Sequence, residues 1–219
     1  MILVERPTIN TMTLVIAVKT NDQIVISTDG LSRKMDSSRR WIDTVTPKLH
    51  KIHDYIAIGV ASEGIDEGLF EGYLKLLIEY CQKSPKKLKV VTRKVGSLAD
   101  SLFDLDKVQI IIVGYDLDNS YKPISPKMYK LSRKKPVEVK SWTTIGQNKG
   151  ANEVIQHSFH DWELTPEGIF KECNTVIKFA AMQERDQTIG GQVYGWSLNK
   201  EGLTEPKELS FIEPDHVKW

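Results

Sequence analysis

A hydroxyl, a carboxylate and an amine occupy positions in this 219-residue chain from which they could act together. Thr13 stands immediately before the apolar run Leu14 to Val18, Asp29 ends the return run that begins at Ile24, and Lys48 follows Pro47 at the start of the next strand-like stretch. A carboxylate at the end of a buried strand requires a partner or water. If Asn21 and Asp22 form a two-residue turn, Thr13 opposes Gly30 and Asp29 opposes Leu14, so hydroxyl and carboxylate lie at one end of one hairpin. A three-residue turn including Gln23 would instead put Thr13 and Asp29 on the same face. Either register allows a site at this end. The plainer alternative is that Asp29-Gly30 merely terminates a strand by turn chemistry and that Lys48 is a solvated lysine at a strand edge.

Other reactive side chains point less clearly to chemistry. His50 and His53, three apart on a strand and turn, should face opposite ways and make a poor metal pair, so both are expected to be solvated. His157 and His160 would share a helix face without an evident third ligand, which suits a helix-end role. Cys81 and Cys173 lack metal-ligand spacing and read as buried thiols of a reducing compartment. Lys83, Lys86, Lys87 and Lys89 form a basic run that reads as a solvated surface, and Tyr194 and Trp196 read as core. No metal or cofactor is expected.

The elements that must position these groups follow from hydrophobic period. Between residues 13 and 28 both alternating sets are apolar, which predicts a hairpin buried on both faces. Residues 31–47 read as a long polar excursion, and 48–52 with 55–60 as a second hairpin turning at His53-Asp54. Apolar residues spaced three or four apart predict a helix over 65–82, and a second helix is expected over 88–105 despite Val90, Val91 and Thr92. Strands are predicted at 108–115, 126–131 and 137–145, helices at 152–159 and 166–184, and strands at 193–198 and 203–212. Thr165-Pro166-Glu167 is the start signal of the last helix. Hairpin-linked strands imply antiparallel sheets, and two-sided burial calls for helices outside them. The expected architecture is α+β: a four-layer αββα sandwich of two stacked antiparallel sheets between helical layers.

Bulk properties narrow the classes of function. Thirty basic against 29 acidic residues give a net charge of +1, which favours neither nucleic acid nor a membrane surface as partner. No apolar stretch approaches the roughly 20 residues of a membrane span, and MILVERPTIN is too short an apolar run for a secretion signal. A cytoplasmic location is expected. No repeat, low-complexity tract or long linker divides the chain, so 13–219 is expected to form a single domain.

Fragments in order carry a family resemblance: TLVIAVKTNDQIVISTDG, PKLHKI, IAIGVASEGIDEG and AAMQERDQTIGGQVYGWSLNKEG. Together they resemble proteasome β subunits and their bacterial HslV-type relatives, threonine peptidases of the N-terminal nucleophile hydrolase superfamily. The resemblance spans Thr13 to about Leu203, and Asp29-Gly30 is similar to the HslV-type form. It implies that Thr13 is the nucleophile and that its own α-amine, with an ordinary pKa of about 7.7 to 8.0, is the base. It further implies that Lys48, held charged by Asp29, lowers the proton affinity of the hydroxyl, that Asp186 orients the amine, and that the Ser62 backbone N–H receives the oxyanion. Val60 would line the pocket for the residue before the cleaved bond. The implied substrate is an unfolded protein or a short peptide, hydrolysed inside a ring-like homo-oligomer, with an ATPase as candidate partner.

Departures from that pattern bear on activity. A nucleophile of this kind must begin the chain, yet twelve residues precede Thr13 and Met12 stands where family propeptides usually end in glycine. Residues 1–12 are a propeptide with an atypical cleavage site, or translation starts at Met12 and trimming exposes Thr13, or nothing is removed and the protein is inactive. Gln147 stands where a serine is usual, and could replace its hydrogen bond; Ile189 replaces a second serine and could not. Two other functions therefore stand beside the peptidase: a catalytically silent subunit that builds or caps a ring, and an amidase acting on a small molecule.

Overall fold

The computed structural model describes residues 8–11, 13–35, 41–45, 48–83, 87–132, 135–146, 149–183 and 189–212. Strands β1 (Thr8–Thr11), β2 (Leu14–Lys19), β3 (Ile24–Thr28), β4 (Leu31–Met35), β5 (Trp41–Val45), β6 (Leu49–His53) and β7 (Ile56–Asp66) come first. Helices α1 (Glu67–Lys83) and α2 (Leu88–Leu102) follow, then β8 (Val108–Leu117), β9 (Pro123–Ser132), β10 (Lys135–Val139) and β11 (Trp142–Gly146). The chain continues through α3 (Lys149–Ser158), a 3-10 turn (Phe159–Asp161), α4 (Pro166–Gln183), β12 (Gly191–Asn199), β13 (Gly202–Leu203) and β14 (Lys207–Ile212).

These strands form two antiparallel sheets. The larger has the order β10-β9-β8-β7-β1-β4-β5, with β6 also paired to β7; the smaller has the order β11-β2-β3-β12-β13, with β14 also on β12. Three apolar clusters divide the core. The first joins α1 and α2 to β6–β9 through Tyr73, Leu77, Val91 and Ile58; the second joins α3 and α4 to the smaller sheet through Ile155, Ile177, Leu14 and Val25. The third takes its buried side chains from both sheets and from no helix, among them Val15, Ile26, Ala57 and Val113. That division explains the unbroken apolar runs. Successive residues of β2 and β3 alternate between a helix-facing and a sheet-facing cluster, so both alternating sets must be apolar.

Helix ends are fixed by identifiable donors and acceptors. Asp116 of β8 accepts the Leu88 N–H at 2.8 Å, so a carboxylate from another element caps α2 and offsets its β-branched first turn. Thr165 accepts the Gly168 N–H at 3.1 Å ahead of Pro166, the start expected for α4.

Several boundaries differ from the sequence pattern. The supposed excursion at 31–47 contains the β4–β5 hairpin, whose charged residues gave no apolar alternation to read. The single strand expected at 137–145 is two, with β10 in the larger sheet and β11 in the smaller, changing sheets at Lys140-Ser141. Strand β7 runs on to Asp66, and the last expected strand divides into β13 and β14. Cys81 and Cys173 are free and buried, and Trp196 is core. Among the described residues no helix is long and apolar enough to cross a membrane.

Candidate functional site

The site grows from the β2–β3 turn. The Thr20 N–H donates to Gln23 O at 2.9 Å, leaving Asn21 and Asp22 as a two-residue turn. The register then runs Val15↔Thr28, and the Asp29 N–H donates to Leu14 O at 3.2 Å. Of the two registers open in the sequence, this one places Thr13 opposite Gly30. Both Thr13 and Asp29 are fully buried at the end of the hairpin away from its turn.

Lys48 arrives from the other sheet. Its carbonyl accepts the Val60 N–H at 3.1 Å, anchoring it beside β7, and its side chain is buried. The ammonium donates to Thr13 Oγ1 at 2.5 Å and to the Leu31 carbonyl at 2.8 Å. Asp29 Oδ1 accepts the Leu14 N–H at 2.8 Å, while Oδ2 accepts the Gly190 N–H at 3.3 Å. A further bond, from Leu31 N–H to Gly190 O at 3.0 Å, ties the segment before β12 to the same corner. A lysine from one sheet thus reaches a hydroxyl at the start of the other.

Burial dominates the charges of this pair. It pushes the Asp29 carboxyl up to about 6, against the lowering pull of the Lys48 charge and of backbone donors from Leu14, Gly190 and Leu31. It also pushes the Lys48 ammonium down to about 8, against the raising pull of Asp29. Near neutral pH Lys48 therefore still carries its proton but holds it loosely. An ammonium bonded to a hydroxyl oxygen stabilises the alkoxide that oxygen becomes on losing its proton.

Gly146 closes the site from β11. Its φ is +89°, and a Cβ built there would lie 1.4 Å from the Thr13 carbonyl oxygen, so both backbone conformation and space require glycine. Ser62 lies on β7, with Val108 of β8 as its partner on one side and Thr11 of β1 on the other. Val60 shares the face of β7 to which Lys48 is paired, and is buried. Asp186 and Gln147 lie outside the described residues. Ile189 is packed in the core cluster beneath α3 and α4.

Three contributors carried no side-chain signal. Leu14, Leu31 and Gly190 act through backbone groups, which sequence reading registers only as apolar residues or a glycine pair. The fourth is β1 itself. It lies between β4 and β7, antiparallel to both, with Asn10 opposite Arg33 and Thr11 opposite Ser62. The segment before Thr13 thus fills the one-strand gap in the larger sheet beside the hydroxyl.

His50 departs from its expected solvated state. It is half-buried, with the Phe70 ring of α1 edge-on at 5.0 Å, because α1 folds across β6. A bulge between Lys51 and His53 interrupts the alternation that was to separate the two histidines, and His53 Nδ1 accepts the Tyr55 N–H at 3.2 Å within the turn. His160 is exposed and contacts Asp161. Among the described residues no three metal-ligating side chains gather. When the chain is compared with protein-family models and with curated proteins, none of them matches it.

Proposed function

We propose that this chain is a proteasome-like threonine peptidase of the N-terminal nucleophile hydrolase superfamily, with Thr13 as nucleophile and its two sheets stacked as the inner layers of an αββα sandwich. The observation that carries the reading is the buried bond from the Lys48 ammonium to Thr13 Oγ1, beside the buried carboxylate of Asp29. A structural lysine has no need of a threonine at 2.5 Å in a place where burial strips both groups of water.

The occupied gap between β4 and β7 adds support, because a strand already lies where an extended peptide substrate would pair. In the proposed reaction, cleavage before Thr13 frees its α-amine, and residues 8–11 leave the gap. Thr13 Oγ then attacks the substrate carbonyl carbon as its proton passes to the amine. The oxyanion is held by the Ser62 N–H, a contribution of about 3 to 4 kcal/mol where such donors have been removed. The C–N bond breaks as the amine returns the proton to the leaving nitrogen, and water hydrolyses the resulting ester. Asp186 orients the amine in this scheme. Assembly into a ring-like homo-oligomer, with an ATPase as partner, would confine the site.

Ile189 favours a second reading, a catalytically silent ring subunit, since an apolar side chain packed in the core offers the amine no hydroxyl. Chains beginning at Met1 and at Thr13 separate the two. Intact-mass measurement should show Thr13 as the first residue of the mature protein, and the chain beginning there should cleave fluorogenic peptides and be labelled at Thr13 by an epoxyketone. Retained Met1 with no turnover or labelling from either chain would establish the silent subunit. Light scattering that finds a monomer at micromolar concentration would contradict ring assembly and favour a small-molecule amidase.

A further inference from the structure

The face of the larger sheet that carries Lys48 also carries His50, whose role the peptidase reading leaves unassigned. In the β6–β7 ladder His50 pairs with Ile58, while the Lys48 carbonyl bonds the Val60 N–H. Cross-strand partners share a face, so Lys48, His50, Ile58 and Val60 lie together on the side that meets α1. Ile58 and Val60 belong to the cluster beneath that helix, and the Phe70 ring closes on His50 from α1. The imidazole therefore has Ile58, Val60 and Phe70 as apolar neighbours, with the Lys48 charge nearby. Among the described residues no group hydrogen-bonds either of its ring nitrogens.

An extended chain in the gap between β4 and β7, placed as β1 is, presents alternate side chains to the two faces of the sheet. One of those faces is the one just described, and Lys48 reaches Thr13 from it.

Resting on the peptidase reading, we propose that His50 is a specificity-determining residue that selects, for the substrate side chain beside the attacked carbonyl, an uncharged group with a hydrogen-bonding tip, such as a phenol or an amide. Burial and the neighbouring Lys48 charge hold the His50 ring down at about 4, so it is neutral at working pH, with one nitrogen donating and the other accepting. A phenol or carboxamide can satisfy that pair. A lysine or arginine side chain meets the Lys48 charge, a carboxylate loses its hydration among Ile58, Val60 and Phe70, and a purely apolar side chain leaves the imidazole unpaired.

The experiment compares kcat/KM for tetrapeptide aminocoumarins that end in Tyr, Phe, Gln, Leu, Lys or Asp, using the chain that begins at Thr13. Tyr should exceed Phe, and Gln exceed Leu, by about tenfold or more, since a site built to bond a polar tip discriminates against its apolar counterpart. Both ratios should fall towards one in His50→Leu and in His50→Phe, two apolar replacements of different shape. His50→Gln, which keeps a donor and an acceptor, should restore them. Ratios unchanged in active apolar variants would overturn the assignment of His50 and leave the peptidase reading intact. A Thr13-initiated wild-type chain that cleaves none of the peptides and takes no epoxyketone would overturn both.

Discussion

Two aspartate–lysine pairs in this protein are built from the same chemistry and end in opposite states. At the far edge of the α2 face, Asp116 accepts the Leu88 N–H through Oδ1 and bonds Lys127 through Oδ2 at 3.0 Å, and Lys127 remains partly open to solvent. Its ammonium is held above the ordinary lysine value by the Asp116 hydrogen bond. At the other pair the Asp29 oxygens are taken by backbone donors, the lysine reaches past them to a hydroxyl, and both groups are buried. There burial outweighs mutual attraction, and the two titrations are drawn together, to about 6 and about 8. Direct contact and water settle the first pair as a brace for α2; their loss leaves the second with two loosely held charges, the state the proposed chemistry calls for.

The contrast is broken most severely at Thr13. In the chain beginning there, Thr13→Ala should lower kcat/KM for peptides by about 10⁴-fold or more and abolish epoxyketone labelling, as loss of a nucleophile does. Next in size, Lys48→Met should cost about 10³-fold in kcat, while Lys127→Met stays within about twofold of wild type. Equal losses from both lysines would erase the distinction.

Stability should move the other way. Because the folded Lys48 titrates below the unfolded chain's 10.5, the unfolded state binds more protons between about 8 and 10.5, and stability rises with pH across that window. Lys48→Met should remove that slope, measured by urea titration at several pH values. Asp29 has the opposite sign: its folded value lies above the ordinary 3.8, so stability falls as pH rises from there to about 6.

Ionisation of Asp29 should also appear in rate. The kcat/KM of the mature chain should climb through pH about 6, and Asp29→Asn should flatten that limb and lower the plateau about tenfold. The smallest effect belongs to the brace. Asp116→Asn should leave peptide turnover unchanged and lower unfolding free energy by about 1 to 2 kcal/mol, since it weakens the α2 cap and the Lys127 bond together.

How far the sequence foretold this arrangement depended on whether a feature is written in side chains. The β2–β3 hairpin, α1 and α4 announce themselves because apolar periodicity is what their burial demands. Thr13, Asp29 and Lys48 stand at the ends of those elements, but position alone leaves a plain turn and an edge lysine as readings, and the family resemblance is what singles them out. Their register was not legible, since two turn lengths fit the same letters, and only the Thr20–Gln23 bond decides between them. The β4–β5 hairpin was illegible for a different reason: it is rich in charged residues, and pairing of backbone to backbone leaves no hydrophobic trace. For the same reason the backbone of Leu31 and Gly190 entered the site unannounced. His50 was misjudged because a residue's exposure depends on what folds over it, and Phe70 lies twenty positions away.

The place of β1 has one more consequence. Among the described residues it is the strand that links β7 to the β4–β5 hairpin in the larger sheet. In the proposed mature form, from which residues 8–11 have left the gap, two rows of unpaired amides and carbonyls would face each other across a space one strand wide. Such edges recruit whatever extended chain they meet, including another copy of the same protein, and are a recognised route to aggregation. On that reading the departing strand would serve as a temporary seam: it would let the sheet fold as a continuous surface and defer exposure of two adhesive edges until the chain has somewhere safe to display them.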